Sequence, residues 1–103
     1  MAYKPLPIIS VLTVTADYTL IATDQLVLVD SASPHTITLP TIDGGAGRVC
    51  VVKQIGVGAV TLAAQDGAKI DGGDTIVYAA QYNSMFVVTD GADWWILGLE
   101  AVA

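Results

Sequence analysis

Few side chains in this sequence could carry out nucleophilic or acid–base chemistry. His35 is the single histidine and Cys50 the single cysteine of the chain. A catalytic nucleophile needs a base beside it and a third group that orients the base, and no Gly-x-Ser-x-Gly turn presents a serine here. We therefore interpret His35 as a strand-edge histidine and Cys50 as a buried apolar thiol. A small hydrolase is the weakest hypothesis, because the sequence offers no recognisable pair of nucleophile and base.

The carboxylates that could bind a metal ion cluster loosely at Asp66, Asp71 and Asp74. Residues 71–74 (Asp-Gly-Gly-Asp) could offer two carboxylates and backbone carbonyls to a calcium ion. The spacing of an EF-hand is absent, and Asp–Gly pairs commonly form turns. Zinc would need more histidine and cysteine ligands. We therefore predict turns at these positions and expect no metal ion or cofactor.

The elements that would position these side chains are predicted to be short β-strands. Val, Ile and Thr dominate the sequence, and these β-branched residues pack well on pleated sheets. The pattern predicts an all-β fold, a single compact sandwich or barrel of about eight to ten short antiparallel strands. Residues 56–58 (Gly-Val-Gly) and 90–93 (Asp-Gly-Ala-Asp) predict hairpin links. The predicted strands cover residues 8–15, 18–22, 25–29, 35–39, 48–55, 59–64, 75–80, 84–89 and 94–99.

The sequence divides into an extended N-terminal arm or first strand at 1–16 and a β-sandwich domain at 17–103. Pro5 and Pro7 predict an extended conformation for the arm. The same region faintly resembles a signal peptide, but the prolines and the β-branched residues that follow argue against that interpretation. Segments 17–30 and 74–90 echo each other too weakly to predict a repeat architecture, which needs at least three units.

The composition indicates an assembly rather than a free-standing monomer. Hydrophobic residues make up 53% of the 103 residues and charged residues 14%, with a net charge of −6. This excludes a disordered tail and a basic nucleic-acid binder. The longest uncharged run, 75–89, contains polar residues and is too short for a spanning helix, so we expect no membrane partner. Strands 48–55 and 84–89 are apolar on both faces, which predicts a surface buried between chains.

The aromatic residues suggest where such a surface lies. Trp94 and Trp95 are adjacent, so in a strand they point to opposite faces. One can fill the core, and the other then faces solvent, a ligand or a partner. A platform for sugar binding is one use of an exposed tryptophan, and a subunit interface is the use that we favour. We predict subunit packing through Tyr82, Phe86 and one of the two tryptophans.

The segment from Tyr18 to Gly98 resembles a β-rich module found in virion proteins of tailed bacteriophages. The pattern begins with a strand ending in Val-Asp at 26–30 and a Thr-rich strand ending in Leu-Pro at 36–40. It continues with a Gly-Arg strand ending in Lys at 47–53, an Ile-Asp-Gly turn at 70–72, and a strand followed by Asp-Gly and Trp at 87–96. The match covers about four fifths of the chain, and the family has no catalytic residues to carry over.

The resemblance implies a non-enzymatic structural protein of the virion. Such modules occur in tail fibres and in small capsid decoration proteins, often as trimers. A short chain with little beyond the module looks more like a decoration (cement) protein, located on the capsid surface as a homotrimer bound to the major capsid protein. The alternative is a tail-fibre or baseplate module that recognises a host-surface glycan. An extended apolar arm suits strand addition to a neighbour, and the predicted capsid contacts are Tyr3, Pro5, Pro7, Ile8, Ile9 and Val11.

Overall fold

The computed structural model describes residues 10–21, 23–42 and 47–100, and for residues 98–100 it describes the backbone alone. In these ranges the chain forms nine strands and no helix, so the all-β fold and the expected number of strands are confirmed. None of the described residues belongs to a helix that could span a membrane. The strands are β1 Val11–Val14, β2 Tyr18–Thr19, β3 Leu26–Val29, β4 His35–Thr38, β5 Val49–Gln54, β6 Val60–Ala63, β7 Thr75–Tyr78, β8 Ser84–Thr89 and β9 Trp94–Glu100.

The strands form two sheets, between which the chain alternates. The five-stranded sheet has the order β1-β3-β5-β8-β9, and the four-stranded sheet has the order β2-β4-β6-β7. β1 and β2, then β3 and β4, then β5 and β6 form three successive rungs, each contributing one strand to each sheet. Rungs pair with one another in parallel, whereas the pairs β5-β8, β6-β7 and β8-β9 are antiparallel.

The prediction of antiparallel strands was therefore wrong for the pairing among the first six strands. The chain crosses to the other sheet at each corner instead of folding back beside itself, so it re-enters each sheet in the same direction one strand further along. The three rungs also form a repeat that the sequence did not show. The loop before β5 is longer than the loop before β3, so no constant period marks the rungs.

The link at 56–58 is a corner between the two sheets and not the predicted hairpin. It stacks on the corner between β3 and β4, where the Gly58 amide donates to the Ser31 carbonyl at 2.8 Å. A Cβ on Gly58 would lie 2.1 Å from the Ser33 carbonyl oxygen, and one on Gly56 would lie 2.4 Å from the Ser31 backbone. The glycines are needed because the corners approach so closely. The predicted hairpin at 90–93 is confirmed by the antiparallel pairing of β8 with β9.

The core lies between the inner faces of the two sheets. Tyr78 from the four-stranded sheet donates its hydroxyl to the Val52 carbonyl of the other sheet at 2.9 Å. Cys50 is fully buried, and burial raises the pKa of its thiol, as expected for an apolar cysteine. Trp94 is the largest fully buried side chain. The other buried apolar residues are Leu20, Val27, Val29, Ile37, Leu39, Val52, Val60, Leu62, Ile70, Met85 and Val87.

Most of the predicted arm lies outside the described residues, including Tyr3, Pro5, Pro7, Ile8 and Ile9. Val11, the last of the predicted capsid contacts, begins β1. β1 is an edge strand of the five-stranded sheet and pairs in parallel with β3.

Candidate functional site

Outside the core, the strand register produces a continuous apolar surface on the outer face of the five-stranded sheet. Pairing aligns Val11, Leu26, Val51 and Phe86 in one row across four neighbouring strands. Paired residues point to the same side of a sheet, so these side chains form a continuous stripe. A second row aligns Val49, Val88 and Trp95. We call these two rows, together with Leu97, the apolar face.

The outer face of the five-stranded sheet becomes polar beyond the two apolar rows, toward one end of the sheet. The third row aligns Thr13, Leu28, Lys53 and Ser84. The Lys53 ammonium donates to the Tyr82 carbonyl oxygen at 3.0 Å, which directs its charge toward the turn before β8. The apolar rows therefore end at a polar border.

Trp95 is held in a defined position on the apolar face. Its indole Nε1 donates to Asp90 Oδ2 at 2.9 Å, and 44% of the residue remains exposed. The backbone amide of Asp93, the Trp95 indole and the Ala92 amide together lower the pKa of Asp90 to about 2. A carboxylate at the hairpin thus fixes the ring, which lowers the entropy that a partner would have to remove on binding.

The structure separates the predicted interface residues. Phe86 and Trp95 lie on the apolar face, whereas Trp94 is fully buried and leaves the candidate interface. Tyr82 is 46% exposed and lies in the turn before β8, with a positive φ of 72°. Leu97 is 62% exposed at a β-bulge and was not predicted, because the alternation of strand residues does not reveal where a register shift falls.

The outer face of the four-stranded sheet is built from threonines. One row aligns Thr36, Thr61 and Val77, and the next aligns Thr19, Thr38, Ala63 and Thr75. We call these two rows the threonine face. Threonine and valine have nearly the same shape and both favour strands, so at their β-branched positions the two outer faces differ in a hydroxyl or a methyl group. The apolar face also carries leucines, Phe86 and Trp95.

A line of hydrogen bonds at the stacked corners connects a serine, a histidine and an aspartate. His35 Nδ1 lies 3.0 Å from Asp17 Oδ1, and His35 Nε2 lies 3.0 Å from Ser31 Oγ. This is the connectivity of a catalytic triad. The sequence offered no recognisable pair of nucleophile and base, but the structure brings Ser31 and His35 together at this corner. Sequence reasoning missed it because parallel pairing of β2 with β4 brings Asp17 to a histidine 18 residues away.

The surrounding bonds give this corner a structural role. Asp17 Oδ1 also accepts from the Thr36 amide at 2.9 Å, and this bond, followed by the bond to His35, lowers the pKa of Asp17. Ser31 Oγ lies 3.1 Å from the Ser33 amide, which donates to it. The amides of Gly56 and Gly58 donate hydrogen bonds to backbone carbonyls, so they do not form an oxyanion hole beside Ser31. The bonds connect the first rung to the second.

A second set of hydrogen bonds, made by Arg48, accounts for the arginine at the start of β5. Arg48 Nη2 donates to the carbonyl oxygens of Ile21 at 2.9 Å and Asp24 at 2.8 Å. The buried Asp24 carboxylate accepts from the Tyr18 hydroxyl at 2.6 Å, and this bond raises the pKa of Tyr18. Arg48 therefore fixes the turn between β2 and β3.

The candidate calcium ligands serve as turn contacts. Asp71 Oδ1 accepts from the Ile96 amide at 2.9 Å, and Asp74 forms an ion pair with Lys69. Across the part of the chain that the structure describes, no three His, Cys, Asp or Glu side chains converge as metal ligands would.

No family model matches the chain, and no curated protein is significantly similar to it.

Proposed function

We propose that this chain is a non-enzymatic structural protein of a virion, a capsid decoration protein that trimerises and binds the outside of a phage head. The resemblance of the strand-and-turn pattern between Tyr18 and Gly98 supports the phage assignment. The single observation that carries a structural role is the apolar face, on which Val11, Trp95 and Leu97 are exposed and the other apolar residues are half-buried in the monomer.

The expected energetics suit a protein used in many copies. Five strands about 4.8 Å apart and about five residues long give a face of roughly 400 Å². At about 25 cal/mol per Å², covering it contributes about 10 kcal/mol before costs. Association costs are of similar size, so one contact is weak and a symmetric shell of contacts is strong.

The proposed shell contact is the segment from Tyr3 to Val11. Val11 is 60% exposed on the edge strand β1, where a partner strand can be added. The net charge of −6 repels packaged DNA, which is also negatively charged.

The test is co-sedimentation of the purified protein with phage heads that lack it. We expect saturable binding and heads that withstand a higher temperature. The double substitution Ile8→Glu/Ile9→Glu should abolish binding, whereas Val77→Glu on the threonine face should not. Absence of binding by the unmodified protein contradicts the proposal, as does labelling of Ser31 by a fluorophosphonate, which would indicate a hydrolase.

One observation favours the alternative, a tail-fibre or baseplate module that binds glycans. Trp95 offers a fixed aromatic ring beside the Asp90 carboxylate, and sugar sites commonly combine an exposed ring with an acidic residue. Against this, Asp90 already accepts bonds from three N–H groups. A monomer that binds a glycan array and ignores phage heads would support the alternative.

A further inference from the structure

We propose that the apolar face is the surface through which copies of this chain bind one another, and that the threonine face points away from the contact into solvent. This inference deepens the proposed function by naming the self-associating surface and the orientation of each copy.

Charge favours approach through this face. Every carboxylate side chain that the structure describes lies in a loop or corner, and none of these lies in a strand. Two copies that each carry −6 therefore repel least when they meet face to face. Among the described side chains, Lys53 is the one charged group on this side of the sheet. It donates a hydrogen bond to the Tyr82 carbonyl at the polar border. An acidic partner or a nucleic acid would find no cluster of cations here.

The apolar rows favour a partner of the same kind. The methyl-rich rows of Val49, Val51 and Val88 have no polar atom to satisfy a hydrogen-bonding partner. A second apolar face is complementary to them, because strands of one copy can pack on strands of another about 10 Å away. An anionic membrane surface is disfavoured by the net charge of the chain.

The size of the face sets the expected affinity. A face of about 400 Å² on each copy buries about 800 Å² in total, which is below the size of a standard stable interface and indicates a weak contact. Trp95 improves on this, because its ring is already fixed by Asp90 and aromatic anchors contribute much of the binding free energy at interfaces. We therefore expect a dissociation constant in the micromolar range.

The threonine face is the internal control for this argument. It also has β-branched residues and no charged side chain, but its threonines carry hydroxyls, which water can solvate. Exposed Val77 is its one large apolar residue, at 59%. Burial of this face would leave several hydroxyls to find partners, so we expect it to remain in solvent.

The experiment is sedimentation velocity of the full chain from about 1 to 200 µM. We expect a concentration-dependent dimer or trimer, either of which supports the inference. Val51→Glu, at the centre of the apolar face, should weaken association at least 100-fold. Thr61→Glu, the matched position at the centre of the threonine face, should change it less than threefold. Leu97→Glu repeats the test at a residue that needs no repacking, and circular dichroism checks the fold of each variant.

Three results would overturn the inference: a monomer at every concentration, equal association of Val51→Glu, Leu97→Glu and wild type, or a loss confined to Thr61→Glu. Failure of the proposed function looks different. A protein that self-associates through the apolar face but ignores phage heads overturns the decoration role and leaves this inference standing.

Discussion

The apolar face and the threonine face are two outer surfaces of one small fold, and each is centred on β-branched residues, valine on one and threonine on the other. Both serve strand formation equally well, since β-branched residues suit pleated sheets whether they end in methyl or hydroxyl. The difference between Val51 at the centre of one face and Thr61 at the centre of the other is therefore not required by the fold. Our proposal accounts for it by what each face would meet, a second copy in one case and water in the other.

The largest expected effect comes from the corners that support both faces. In Gly58→Ala, the new Cβ would press on the Ser33 carbonyl, and we expect a loss of about 3 kcal/mol in the free energy of unfolding. In the control Gly73→Ala, the Cβ meets its nearest atoms at 3.6 Å and the change should stay within about 0.5 kcal/mol. Chemical denaturation measures both. Equal stability of the two variants would contradict the stacking of corners.

An isosteric exchange tests the chemistry of the apolar face. Val49 and Val88 are paired, and Val49→Thr/Val88→Thr places hydroxyls where a partner chain would bury them. We expect association to weaken by about 2 kcal/mol, or about 30-fold, because buried hydroxyls without partners are costly. The fold should be retained. Sedimentation equilibrium provides the measurement, and unchanged affinity would show that the hydroxyl does not distinguish the faces.

Acid should act on the apolar face through Asp90. Its pKa in the folded protein is about 2, below the ordinary value of 3.8. The associated stability is therefore fully present above about pH 4 and is lost as the pH falls toward 2. Thermal unfolding between pH 5 and 2 should show this loss in the wild type and a smaller one in Asp90→Asn. Tryptophan fluorescence should report release of Trp95 over the same range, and a signal that is flat to pH 2 would contradict the link.

The smallest effect is expected for the reverse exchange. Thr36 and Thr61 are paired, and Thr36→Val/Thr61→Val makes the threonine face more apolar. Stability should change by less than about 0.5 kcal/mol, as for most surface substitutions. Association through the apolar face should be unaffected. New association through the threonine face would show that two methyl groups suffice to create an interface, and size-exclusion chromatography would detect it.

Local structure was largely predictable from the sequence, whereas long-range pairing was not. The predicted strand at 84–89 has the bounds of β8, and the predicted strand at 48–55 differs from β5 by one residue at each end. Alternation also predicted that Trp94 and Trp95 would face opposite ways. Which one faces inward depends on distant contacts, such as the Trp94 amide donating to the Lys69 carbonyl at 2.7 Å.

The parallel rungs and the corner contacts were missed for the same reason. Turn residues at 56–58 predict a change of direction but do not say whether the chain pairs with itself or crosses to a second sheet. Asp17 and His35 meet only because β2 pairs with β4. Part of the apolar face was predicted, because Phe86 and one tryptophan were expected at an interface. Leu97 was not, because its exposure depends on a bulge that alternation cannot locate.

Thiol labelling at matched positions tests the central claim most directly. Leu97 on the apolar face and Val77 on the threonine face are similarly exposed, at 62% and 59%, and buried Cys50 should not react. In assembled protein we predict that Leu97→Cys labels at least 10-fold more slowly than Val77→Cys, and that dilution below the dissociation constant makes the rates equal. Equal rates at every concentration, or selective protection of Val77→Cys, would contradict the account.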